Sequence, residues 1–165
     1  MDNSDTIRQI ANAVEAPYAL VCFQPVKITF GYQAIKRMVS VAESVVPAAV
    51  YADRYQVRDG KKVPSPTMDF YYGSVRDDFD FGPVTLFSSS ALKMYVEEYP
   101  DLAYQYSCWY DLQLFYLRRK RLASIFHVRE YLYAEEAVDL RKSGEKQFDY
   151  VDPRNRAVQM ERELV

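Results

Sequence analysis

A chain of 165 residues, 49% hydrophobic and 27% charged, has ordinary globular usage. That excludes wholesale disorder and suffices for one domain whose core needs no disulfide or metal staple. The formal net charge of -2 gives no global pull on nucleic acid, so no nucleic-acid partner is expected and any anion site must be local. No apolar run reaches the ~18 residues of a membrane span, and no signal peptide is visible.

Asn3-Ser4-Asp5 is a helix start, and Ile7, Ile10, Ala11 and Val14 repeat at helical spacing through Thr6–Glu15. Pro17 ends that helix. Tyr18–Phe23 is a continuous apolar run of strand length, which reads as an interior parallel strand buried on both faces. Gln24-Pro25-Val26-Lys27 reads as a loop, and a second helix is expected from about Tyr32 to Ser44, with Ile35, Met38, Val39 and Ala42 on one face. Pro47 closes the connection to a strand over Ala48–Val57.

Arg58-Asp59-Gly60-Lys61 carries the Asp-Gly pair of a tight hairpin turn. The returning arm, Lys62–Pro66, holds two prolines and is expected at a sheet edge. Thr67–Tyr72 is extended and leads into an acidic stretch that contains Asp77, Asp78 and Asp80. A β-branched strand over Val84–Phe87 follows, and serines cap a helix through Glu98.

Leu102–Ser107 is a Tyr-rich connector. Trp109–Leu117 begins an apolar helix that finishes in Arg118–Arg121, the one basic run. Ser124–Val128 is a strand that Tyr131–Tyr133 continues or re-forms. From Glu135 to Asp149 the hydrophobicity drops, so a loosely packed arm is expected, and Asp152-Pro153 opens a last helix. Helices alternating with apolar strands argue for an α/β domain with an open, mostly parallel sheet flanked by helices. The domain would span 1–133, with 134–165 as a polar arm and terminal helix.

Cys22 and Cys108 lack metal-ligand or redox spacing and read as reduced, buried thiols of a cytosolic protein. His127 is the one histidine and, inside its strand, reads as structural. The 15 Tyr and 9 Phe suit carbohydrate binding and suit a half-buried core equally.

This order resembles the second half of a family 2 glycosyltransferase of the GT-A fold. The similarity rests on the helix Thr6–Glu15, the strand Tyr18–Phe23, the helix Tyr32–Ser44 and Val50-Tyr51-Ala52-Asp53. It continues in Phe81-Gly82-Pro83-Val84, in Tyr110-Asp111-Leu112-Gln113-Leu114 and in Ile125–Tyr133, covering about residues 5 to 133. The run Arg76-Asp77-Asp78-Phe79-Asp80-Phe81-Gly82 is similar to a hallmark of bacterial glycosyltransferase-like proteins.

The resemblance implies an incomplete GT-A-like fold and an inverting sugar transfer from a nucleotide-sugar donor to a glycan acceptor, with Asp111 as general base. Two departures stand out. The family's metal-binding Asp-x-Asp place reads Phe23-Gln24-Pro25-Val26 here, and no nucleotide-binding βαβ with a glycine-rich turn precedes it. The chain is therefore expected to be the later part of a larger enzyme, inactive by itself. The alternative is a non-catalytic remnant that serves as a binding module or dimerises through its uncovered sheet edge.

The candidate residues each have a plainer reading. Asp111 is a general base or a first-turn aspartate at a helix start. Asp77, Asp78 and Asp80 would hold Mg²⁺ or Mn²⁺, or simply shape a turn around Arg76. Asp53 would bind a sugar or ribose hydroxyl or the metal, or pair with Arg54 or Arg58. Tyr71, Tyr72, Trp109 and Tyr110 are candidate sugar platforms. Arg118–Arg121 would complement a helix dipole or touch anionic lipid at the inner membrane of an otherwise cytoplasmic protein.

Overall fold

The computed structural model describes residues 3–71, 79, 81–119, 125–136 and 153–165. In chain order these form α1 (Ser4–Ala13), β1 (Tyr18–Cys22), β2 (Ile28–Phe30), α2 (Ala34–Val45), β3 (Ala49–Arg58) and β4 (Lys61–Ser65). There follow β5 (Val84–Ser88), α3 (Ser89–Glu98), α4 (Cys108–Arg118), β6 (Ile125–Glu136) and α5 (Pro153–Leu164). The strands form one sheet in the order β1-β5-β3-β6-β2, with β4 paired to β3 off that path.

The mostly parallel open sheet of an incomplete GT-A-like fold is overturned by this pairing. Four of the five ladders are antiparallel, and only β3 with β6 runs parallel. The result is a mixed, mostly antiparallel sheet that is strongly curled. The physical reason is visible in β1. Its Tyr18 and Leu20 pack into the layer under α2, while Ala19 and Val21 pack into the layer under α1, α3 and α4. Both faces of β1 are covered, as its apolar run demands, yet it lies at the end of the strand order. Face burial says nothing about lateral position or direction, which is where the parallel reading fails.

β3 is the hub. It pairs with β4, β5 and β6, and its side chains alternate between the two layers. Val50 and Ala52 join Met38, Val41 and Ala42 of α2 in one core, and Ala49 joins Ile7, Leu92, Leu112 and Phe115 in the other. Tyr51 and Asp53 therefore stand on the same face as Ala49. Asp59 (φ 50°) and Gly60 (φ 74°) make the left-handed hairpin turn to β4, and Pro64 lies in β4 as an edge residue.

Three smaller expectations change. β2 is a short strand antiparallel to the end of β6, within a stretch read as loop and helix approach. It is only three residues long, too short for a periodic signal. Cys22 and Cys108 are both free thiols, but Cys22 is exposed because it stands last on the end strand. The polar arm does not begin at Glu135: β6 runs on to Glu136, and Glu135 is buried there. β6 therefore crosses the boundary drawn at 133/134. Among the described residues no helix is long and apolar enough to cross a membrane.

Candidate functional site

The parallel ladder sets Tyr51 beside His127 and Ala52 beside Val128, and then the register slips, so that Asp53 lies opposite Tyr131. Arg129 and Glu130 are left as extra residues on β6, and the irregularity sends them outward to opposite neighbours. Arg129 Nη2 reaches Asp69 Oδ2 at 2.5 Å, on the segment that returns from β4. Glu130 Oε1 accepts from Nε and Nη2 of Arg37 on α2, at 2.9 and 2.6 Å.

His127 occupies the centre. Its ring stacks on Tyr51, with centroids 4.6 Å apart and planes 2° from parallel. Nδ1 lies 2.6 Å from Asp69 Oδ1, and Nε2 lies 2.9 Å from Asp53 Oδ1. Both carboxylates accept, so a ring nitrogen that carries a proton donates to the carboxylate it faces. Asp53 Oδ1 also accepts from the Thr67 backbone N–H at 2.8 Å, and Tyr51 Oη donates to the Met68 carbonyl at 2.8 Å. Tyr71 Oη donates to Asp69 Oδ2 at 2.8 Å. The Arg129 guanidinium, followed by His127 and Tyr71, holds the Asp69 carboxyl well below the usual carboxylate range.

These residues border a groove of about 600 Å³ between α2 and the first half of β6, a size in the range of small-molecule sites. β2 covers β6 only along Tyr133–Glu135, so among the described residues the outer edge of Ile125–Glu130 has no strand partner and lines the groove. Tyr71 and Phe126 present exposed rings to it, 60% and 37% accessible.

The sequence-derived residues are distributed as follows. Asp53 and Tyr71 meet at this cluster, through His127 and Asp69. Asp111 is set apart, in the seam between α3 and α4. It is 6% exposed, its Oδ2 accepts from Tyr95 Oη at 2.8 Å, and Arg118 Nη2 approaches Oδ1 at 3.5 Å. Trp109 packs into an aromatic layer with Phe23 (4.3 Å), Phe87 (5.3 Å) and Phe81 (5.7 Å), and Phe81 abuts Tyr51 at 4.9 Å. Through that layer Asp53 and the start of α4 lie along one face of the sheet. Tyr110 is half-buried beside Trp109.

Tyr72, Asp77, Asp78 and Asp80, with the Mg²⁺ or Mn²⁺ expected at the three aspartates, lie outside the described residues. Among the described residues no three His, Cys, Asp or Glu side chains gather closely enough to hold a metal ion. Arg118 is engaged by Asp111, and Arg119 pairs with Glu98 and lies 4.7 Å over the Phe115 ring. Lys120 and Arg121 are outside the described residues.

Sequence reasoning missed Asp69 and Arg129 and gave His127 no ligand-facing role. A signal existed in the spacing. Asp69 and Tyr71 stand two apart on extended chain, as do His127 and Arg129, so each pair shares a face. What no spacing could supply is that the two pairs face each other. No protein-family model matches the chain, and no curated protein matches it.

Proposed function

We propose that the chain is a glycosyl-transfer domain that acts with a nucleotide-sugar donor and a glycan acceptor. The reaction class comes from the sequence resemblance over about residues 5 to 133. The observation that carries the reading is the gathering of Asp53, Tyr51, Trp109 and the first turn of α4 along one face of the sheet. Tyr51 and Asp53 are buried in that layer and support it from within, so the half-buried Trp109 and Tyr110 are the rings assigned to the apolar face of a sugar.

In an inverting transfer the acceptor oxygen attacks the anomeric carbon as its proton passes to a carboxylate, and the nucleoside diphosphate leaves with the bonding pair. Asp111 is the carboxylate assigned to that proton. It sits in the first turn of α4, toward the positive end of the helix dipole. The test is nucleotide release from a panel of sugar nucleotides with Mn²⁺, for the full-length natural polypeptide and for its Asp111→Asn variant. Asparagine still accepts from Tyr95, so the fold should persist while turnover falls about 10²–10⁴-fold. Full rate in Asp111→Asn would remove Asp111 from the base role.

A second reading is favoured by one observation: Asp111 is buried and its oxygens are already taken by Tyr95 and Arg118. A domain that binds without turnover, the non-catalytic module, needs nothing more from that residue. Sugar nucleotides that release no nucleotide, together with a calorimetric titration that is silent across the panel, would establish this reading over the first.

A further inference from the structure

We infer that the open edge of β1 is a pairing surface for a second copy of this chain, joined antiparallel about Leu20. β1 closes one end of the strand order and, among the described strands, pairs with β5 alone. Just beyond the two ends of β1, the Phe23 N–H donates to the Pro83 carbonyl and the Ser89 N–H to the Pro17 carbonyl, both at 2.9 Å. Antiparallel bonding alternates along a strand, so Ala19 and Val21 share this phase and direct their backbone groups at β5. Tyr18, Leu20 and Cys22 turn theirs outward, where these N–H and C=O groups meet no partner among the described residues.

The other described edges carry devices that discourage such pairing. β4 has Lys61, Lys62 and Pro64, β2 is three residues long, and the first half of β6 holds Arg129 and Glu130 at its register slip. β1 has neither charge nor proline, and its register against β5 runs without a break. Its side chains feed the two apolar layers, yet Tyr18, Ala19 and Leu20 are only half-buried at the margin of the sheet. A two-fold axis at Leu20 sets that residue opposite its own copy, and Tyr18 of each chain opposite Cys22 of the other. The three outward-facing residues then all enter hydrogen-bonded pairs, and both apolar layers continue across the junction. A second copy answers this edge because the strand is complementary to itself in that register. The pairing is independent of the glycosyl-transfer reading.

Sedimentation of the full chain under reducing conditions, from about 10 µM to about 1 mM, is the test, with disulfide trapping to check the register. A concentration-dependent dimer is expected. Cys22→Pro removes one outward N–H per chain at an exposed position and leaves the bonds to β5 in place. It should raise the dissociation constant about 10-fold. Opposite residues in such a pair stand about 5.5 Å apart at Cα, within disulfide reach. Tyr18→Cys should therefore yield a covalent dimer on mild oxidation, through Cys22 of the other chain, and combining it with Cys22→Ala should abolish the cross-link. The wild-type chain should give none, since its two Cys22 residues would stand about 14 Å apart. The inference is overturned by a chain that stays monomeric throughout, by Cys22→Pro dimerising as wild type does, or by a cross-link that does not need Cys22. Should a variant not fold, hydrogen exchange at the wild-type Leu20 amide decides: slowing as concentration rises supports the pairing, and a constant rate refutes it.

Discussion

Gly82 has a backbone φ of 78°, and a Cβ there would stand 2.5 Å from Tyr133 Oη and 3.1 Å from Arg54 Nη1. Left-handed backbone and close approach both call for glycine, and the atoms in the way belong to β6 and β3, buried and held by their own ladders. Gly82→Ala should cost about 1–3 kcal/mol, measured as a lower urea midpoint with Trp109 fluorescence as the probe. An unchanged midpoint would mean that the turn and both side chains yield without cost. In the sequence, Phe81-Gly82-Pro83 announces a turn and nothing else. The partners that make the glycine necessary are 28 residues upstream and 51 downstream, so only the folded chain supplies the reason. His127 is similar: its place inside a strand was legible, but the two carboxylates at its nitrogens come from β3 and from the segment after β4.

Between elements, the β3–β6 ladder contains a buried ion pair. Arg54 Nε meets Glu135 Oε1 at 2.9 Å with both side chains 8% exposed, and Gln56 Nε2 donates to the same oxygen at 3.0 Å. Breaking such a pair from one side leaves a buried charge without its partner, whereas replacing both sides with apolar groups is often neutral. Arg54→Met alone should therefore cost about 3–5 kcal/mol, and adding Glu135→Leu should return most of that loss in chemical denaturation. If the double variant were no better than the single one, the cost would lie in packing and not in stranded charge. Glu135 also shows how a local reading goes astray. It stands at the head of a polar stretch and reads as the start of a loose arm, but pairing with β3 carries the strand on to Glu136, three residues beyond Tyr133. Element existence was mostly legible: the helices and the strands β1, β3, β5 and β6 lie close to where periodicity and proline placed them. Their lateral order was not, because burial on two faces looks alike in a parallel interior strand and in a covered antiparallel end strand.

At the scale of the whole molecule, the buried phenols and thiol act together. Burial pushes Tyr95, Tyr51, Tyr116 and the Cys108 thiol upward from their ordinary values. A raised folded value means that the unfolded chain gives up these protons first. The stabilisation is complete below the unfolded pKa, about 8.5 for a thiol and about 10 for a phenol, and is lost as pH rises beyond them. The urea midpoint should fall continuously from about pH 8.5 upward, and Cys108→Ala should delay the onset to about pH 10. A midpoint that stays flat through that range would show that these groups ionise in place without opening the core.

One consequence of the strand order concerns how the chain finds this arrangement. Apart from the Asp59-Gly60 hairpin, each ladder joins segments far apart in the chain: β1 waits for β5, β2 waits for β6, and the hub waits for both. Closing such long loops costs entropy before any contact rewards it, so folding of this domain should be slow for its size. The hairpin around β3, the one pairing that forms locally, is the natural place for its nucleus.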